Sequence, residues 1–174
     1  MIQLINGRGQ LGEELKKQLI ENDIFNDKEA IIYHTWNFLD KSEKTQKEEY
    51  NKFKKYLETV KNTPLVFIST YSQQANPYNY YKQLSEAHLI SNYENGYVIK
   101  LPVILGKGIC QKFKDDEVTP YGEIELITIE RAAKSVLSEL EEIFYNAKRI
   151  KNIRINGDLV PAELVYQLIQ FGKK

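Results

Sequence analysis

At 174 residues, with 24 acidic and 24 basic side chains, the chain suits one domain and carries no net field to attract polyanions, which argues against nucleic acid as a partner. Its 42% apolar and 28% charged residues are ordinary for a soluble globular chain. No apolar stretch approaches the ~20 residues of a membrane span, Cys110 is the only cysteine and has no internal disulfide partner, and no signal-peptide core opens the chain, so a cytosolic protein without a membrane partner is expected.

The first apolar run, at 2–6, reads as a strand, followed by the turn "GRGQLG" and a helical pattern of Leu11, Leu15 and Leu19, the first half of a βαβ unit. "AIIYH" at 30–34 is a second strand, and the charged stretch after it places Tyr50, Phe53, Leu57 and Val60 on one helical face. "PLVFIST" at 64–70 is a third, buried strand. From Tyr78 to Tyr93 the spacing of Tyr81, Leu84, Ala87 and His88 is helical, with Asn95-Gly96 marking the end of that helix, and "YVIKLPVIL" is a fourth strand. Residues 106–122 read as loop, "EIELITI" as strand and "ERAAKSVLSELEEIFYNA" as an amphipathic helix. A last strand, "KNIRIN", turns through Gly157-Asp158 into the helix "PAELVYQLIQF". Strands alternating with helices predict an α/β fold, a mostly parallel sheet with helices on both faces, as a single domain over 1–174.

Gly7, Gly9 and Gly12 stand at the spacing of a dinucleotide-phosphate turn. There the first glycine permits the turn, the second lets backbone approach the pyrophosphate, and the third lets the helix pack closely. The helix opening at Gln10 and Leu11 would aim its free N–H groups at the phosphates. The alternative is a turn that only changes direction. The acidic residue that usually ends the second strand and binds the ribose of NAD is absent, since that strand runs into "YHTWN". Arg8 either offers a guanidinium to a 2′-phosphate, which favours NADP over NAD, or is an ordinary solvated side chain.

Tyr78 and Lys82 are four residues apart and share a helix face. An ammonium beside a phenol favours the phenolate, so the pair can exchange a proton with a substrate hydroxyl or carbonyl while hydride moves to or from a nicotinamide. Thr70 or Ser69, from the end of the third strand, could hold the substrate oxygen. The competing reading is a chance match in a tyrosine- and lysine-rich chain. His34 and His88 have no second ligand at metal spacing, Cys110 has no histidine partner, and the charged loop at Asp115, Asp116 and Glu117 is a solvated segment or one that closes over a ligand.

The order "NGRGQLG", "VFISTYS", "YNYYK" and "IKLPVILGKG" resembles the extended short-chain dehydrogenase/reductase family, and "GQLGEEL" and "FISTYS" look most like its dTDP-4-dehydrorhamnose reductase branch. The resemblance implies a Rossmann-like three-layer fold and an NAD(P)-dependent reductase or epimerase acting on a nucleotide-linked sugar or related carbohydrate. Thr70 takes the catalytic Ser/Thr place, Tyr78 the acid/base place, and Lys82 both the pKa-lowering and the nicotinamide-ribose-binding place. Gly7, Arg8, Gly9, Gln10, Leu11, Gly12, Ser69 and Pro102 fall on the cofactor side. It also implies a homodimer packed through the helices near 44–61 and 78–93. Against the family pattern, the phosphate turn is one residue short, and only eight positions separate Thr70 from Tyr78. A βα unit is expected to be missing between the second strand and "PLVFIST", with most of the C-terminal substrate portion. Two other readings stay open: a Rossmann-like scaffold without turnover, such as an accessory subunit in a polysaccharide pathway, and the same fold binding no nucleotide.

Overall fold

A computed structural model describes residues 1–5, 7–34, 36–72, 74–117, 119–145 and 150–172. In chain order the elements are β1 (Ile2–Ile5), α1 (Gln10–Ile20), β2 (Ala30–Tyr33), α2 (Glu43–Thr59), β3 (Leu65–Thr70), α3 (Pro77–Asn92), β4 (Gly96–Leu101), β5 (Val103–Leu105), α4 (Lys107–Lys114), β6 (Glu123–Thr128), α5 (Ile129–Tyr145), β7 (Asn152–Arg154), β8 (Asp158–Pro161) and α6 (Ala162–Phe171). β1, β2, β3, β4 and β7 form a parallel sheet in that spatial order, and β5, β6 and β8 form a separate three-stranded sheet. None of the described helices is long and apolar enough to cross a membrane.

The central strands are apolar on both sides because both faces are covered. On one face, Ile32, Val66, Ile68 and Ile99 meet Leu11 and Leu15 of α1 and Ala133, Val136 and Leu140 of α5. On the other, Ile31, Tyr33, Leu65, Phe67 and Val98 meet Phe53 and Leu57 of α2 and Leu89 of α3. Phe53 and Phe67 are fully buried there, with ring centroids 4.8 Å apart.

The expected three layers are present, and three local expectations are corrected. Pro102 lacks the N–H that a continuing ladder needs, so "YVIKLPVIL" divides into β4 and β5, which enter different sheets. The 106–122 loop contains α4, whose buried Phe113 packs edge-on to Tyr166 of α6 at 5.9 Å. Between Gly157 and α6 the chain adds β8, antiparallel to β6. On α3 the buried set is Asn79, Tyr81, Lys82, Ser85, Glu86 and Leu89, while Ala87 is exposed and Leu84 and His88 are only partly covered. This polar stripe lies inward because it is satisfied there, as described below.

The missing strands also differ from expectation. β2 lies between β1 and β3, so β1 is the edge of the sheet, hydrogen-bonded to β2 alone among the described strands. In a six-stranded dinucleotide fold the order is 3-2-1-4-5-6, with two strands beyond the first. The absent strands are therefore those outside β1, rather than a unit between "AIIYH" and "PLVFIST". The connections β1–α1–β2 and β2–α2–β3 step across the sheet in the same direction, yet α1 and α2 cover opposite faces. Their hands are opposite, and since such connections are right-handed in ~98% of cases, one of them is an exception.

The glycine turn joins β1 to α1. A Cβ on Gly12 would overlap the backbone carbon and oxygen of Gly7, so the helix sits directly on the turn. Gly9 has φ +91°, a left-handed conformation, and a Cβ there would meet nothing within 4 Å. Gly12→Ala should lower stability by about 1–3 kcal/mol through overpacking, and Gly9→Ala by about 1–2 kcal/mol through backbone strain. Gly108→Ala, in α4 with open space around it, should cause no loss. Denaturant midpoints of the three variants check the order.

Candidate functional site

The site lies where the chain leaves the carboxyl ends of neighbouring strands toward opposite faces. From β1 it runs through the glycine turn to α1, and from β2 it passes His34 and Trp36 to α2. A crevice at such a divergence is where ligands bind in open α/β sheets.

On the β1 side, Gly9 is the N-cap of α1 and supplies no side-chain acceptor, so the first-turn amides of Gln10 and Leu11 keep their hydrogen-bonding capacity. Leu11 is 4% exposed, so its side chain serves the core and only its backbone belongs to the turn. The Gln10 side chain reaches the other way, its Oε1 accepting the Lys107 N–H at 2.8 Å, which brings the start of α4 to the start of α1. Gly106 permits this approach, because a Cβ there would stand 2.6 Å from the same oxygen. Arg8 is exposed. Gly9 is exposed and a Cβ on it would meet nothing within 4 Å, so the turn is open and without a side-chain cap at that residue.

On the β3 side, Lys82 is 7% exposed and its Nζ donates to the Ile68 carbonyl at 3.0 Å. The same Nζ lies 5.5, 5.6 and 5.8 Å from the ring centroids of Phe67, Tyr78 and Trp36. Tyr78, in the first turn of α3, also has the Nζ of Lys41 at 5.8 Å from its centroid. Its ring is therefore approached by two ammonium groups, and no carboxylate pairs with either among the described residues. Asn76 caps α3, its side chain accepting the Asn79 N–H at 2.9 Å, which fixes the turn that carries Tyr78. Thr70 ends β3, and its Oγ1 accepts the Ser72 N–H at 3.2 Å, an arrangement that leaves the hydroxyl proton for another acceptor.

Ser69 has a different neighbourhood. It is 3% exposed and donates to Glu86 Oε1, while Glu86 Oε2 pairs with Lys100 Nζ at 2.7 Å. Glu86, one turn beyond Lys82, thus ties α3 to β3 and β4. Pro102 is buried where β4 gives way to β5, against Gly157. Of the expected residues, Tyr78 and Lys82 come together at the end of β3 with Thr70 closing that strand, and Gly7 to Gly12 form the turn on β1. Ser69 faces into the α3 contact.

Gln46 and Trp36 were not singled out from sequence, and His34 was weighed there only as a metal ligand. Gln46 is fully buried; its Oε1 accepts the Trp36 indole N–H at 2.7 Å and its amide donates to the Asn37 and Asp40 carbonyls, holding the loop that carries Trp36 and Lys41. His34, immediately after β2, has a buried Nδ1 with no hydrogen-bond partner among the described residues. Its position at a strand's carboxyl end was the signal that could have found it. Burial first, and the Lys82 charge second, push its imidazole down to about 4. Two surface concavities, of about 410 Å³ beside Tyr80 and Tyr81 and about 440 Å³ between α1 and α5, include none of the expected site residues. Asp116 belongs to the α4–α6 contact, accepting from Tyr166 and Gln170, and among the described residues no group of three or more His, Cys, Asp or Glu side chains is placed to hold a metal.

The unfolded chain protonates His34 near pH 6.5, the folded chain only near 4. Stability should therefore fall as the pH drops through that window, by up to about 3 kcal/mol from this residue. Urea midpoints at pH 7 and pH 4.5 should show a smaller acid loss in His34→Asn than in the wild type.

No protein-family model matches the sequence, and none of the curated proteins matches it. Solved structures do match. A UDP-N-acetylglucosamine 4-epimerase from Bacillus cereus aligns over 99% of this chain and 85% of its own, with TM-score 0.68 and 16% identity. A dTDP-4-dehydrorhamnose reductase from Clostridium acetobutylicum aligns over 97% and 78%, with TM-score 0.72 and 15% identity. The Bordetella bronchiseptica enzyme WbmG, in complex with NAD, aligns over 99% and 77%, with TM-score 0.67 and 10% identity. The chain therefore has the Rossmann-like α/β fold of these proteins, with a mostly parallel main sheet covered by helices on both faces.

Proposed function

We propose that the protein is a nicotinamide-dependent reductase or epimerase for a nucleotide-linked sugar or related carbohydrate, with the cofactor laid across the carboxyl ends of β1, β2 and β3. One observation carries the reading: the buried Lys82 ammonium lies beside the Tyr78 ring at the carboxyl end of β3, in the same parallel sheet whose β1 leads into a glycine turn without a side-chain cap. Gly7, Gly9 and Gly12, with the amides of Gln10 and Leu11, would hold the pyrophosphate. The bound nicotinamide supplies or accepts hydride. Tyr78 Oη gives a proton to the substrate carbonyl, or takes one from its hydroxyl, while the Thr70 hydroxyl holds that oxygen. Lys82 and Lys41 set positive charge beside the ring on which a phenolate would form. Arg8 is the group on which a preference for NADP would rest.

A second reading, a Rossmann-like scaffold without turnover that serves a polysaccharide pathway as an accessory subunit, has its own observation. The Lys82 ammonium is enclosed by three aromatic rings and already donates to Ile68. A ligand would have to reach it past Trp36.

Tyr78→Phe separates the two. For the enzyme, turnover of a sugar nucleotide followed by nicotinamide absorbance should fall by about 100-fold or more, with the cofactor Kd unchanged. If the wild type binds cofactor but turns over no sugar nucleotide, the scaffold reading stands. A homodimer through α2 and α3 would meet a largely polar seam, since Lys47, Glu48, Asn51 and Lys55 lie exposed on α2, and Tyr80 is the large apolar side chain exposed on α3. Light scattering giving twice 20.3 kDa supports that dimer, and a mass near 20.3 kDa removes it.

A further inference from the structure

A full dinucleotide site has two halves. The adenosine lies over the strands outside the first, where an acidic residue at the end of the neighbouring strand accepts the ribose hydroxyls, and the nicotinamide lies over the strands on the other side. The described residues of this chain supply the glycine turn and strands on one side of it. β1 is the sheet edge, and the strand that follows it in sequence has moved to the nicotinamide side, carrying His34 and Trp36 toward Lys82 instead of toward an adenosine ribose. The residues present therefore fit a phosphate and a nicotinamide riboside and do not fit the adenosine.

Resting on the cofactor reading above, we infer that the protein recognises the mononucleotide half of its cofactor: a phosphate at the glycine turn and a nicotinamide riboside toward Tyr78 and Lys82, with the adenosine projecting over the β1 edge into solvent. The positive groups agree with this division. Lys82 and Lys41 approach Tyr78 on the riboside side, and the α1 N-terminus at the glycine turn has no side-chain cap on the phosphate side. Beyond β1 there is no further strand among those described to floor a second nucleoside. Arg8 would then meet the pyrophosphate and not a 2′-phosphate, because the ribose bearing that group has no surface to rest on. The chain would accept NADH, NADPH and reduced nicotinamide mononucleotide alike.

Calorimetric titration of the intact protein with each of these three compounds tests this, with quenching of the single tryptophan, Trp36, as an independent readout of nicotinamide arrival. Dissociation constants within about threefold of one another, and equal quenching at saturation, are expected. NADH binding tenfold or more tightly than the mononucleotide overturns the inference and leaves the cofactor reading intact. A tenfold preference for NADPH over NADH also overturns it, by showing that the adenosine ribose is held. If none of the three binds, this inference and the cofactor reading fall together.

Discussion

The architecture depends on one constraint: β1 and β2 are neighbours, but their helices cover opposite faces of the sheet. A parallel sheet buried on both sides needs helices on both, and in this short chain the change of face comes at the first connection. Leu11 and Leu15 draw α1 to the face shared with α5, while Phe53 and Leu57 draw α2 to the other. The chain segments then diverge beyond β1 and β2, so the same feature that covers the sheet also places the candidate site residues.

The second determinant is polar. α3 does not bury an apolar stripe; it buries Asn79, Lys82, Ser85 and Glu86 along with Tyr81 and Leu89. Buried charge is costly unless paired or hydrogen-bonded. Glu86 is met by Lys100 and Ser69, and Lys82 by the Ile68 carbonyl and the faces of aromatic rings. The two arrangements differ in kind. Glu86 is paired with a cation and fixes the helix to β3 and β4, whereas Lys82 meets a backbone carbonyl and ring faces, with no carboxylate partner among the described residues. A fold held by the first can keep the second in place for an anionic ligand.

Much of this was legible in the sequence. Period-two and continuous apolar runs marked the strands of the main sheet, and the glycine spacing between strand and helix marked the turn, because backbone geometry restricts residue choice locally there. The segments misread were those where local pattern and tertiary need diverge. Phe113 makes a helix of a polar stretch because Tyr166 packs on it, β8 exists because β6 offers it an edge, and the inward face of α3 was hidden because its partners lie on other strands.

By itself the sequence determined the alternation of strands and helices, the glycine turn, and the placing of Tyr78 and Lys82 on one helix face, all of which follow from spacing along a single segment. Only the tertiary structure decided that β2 would pair with both β1 and β3, that Ser69 would turn toward Glu86, and that His34, Trp36 and Lys41 would gather near Lys82 and Tyr78. Strand order and the satisfaction of buried charge are set by contacts between segments far apart in the chain, which no local pattern records.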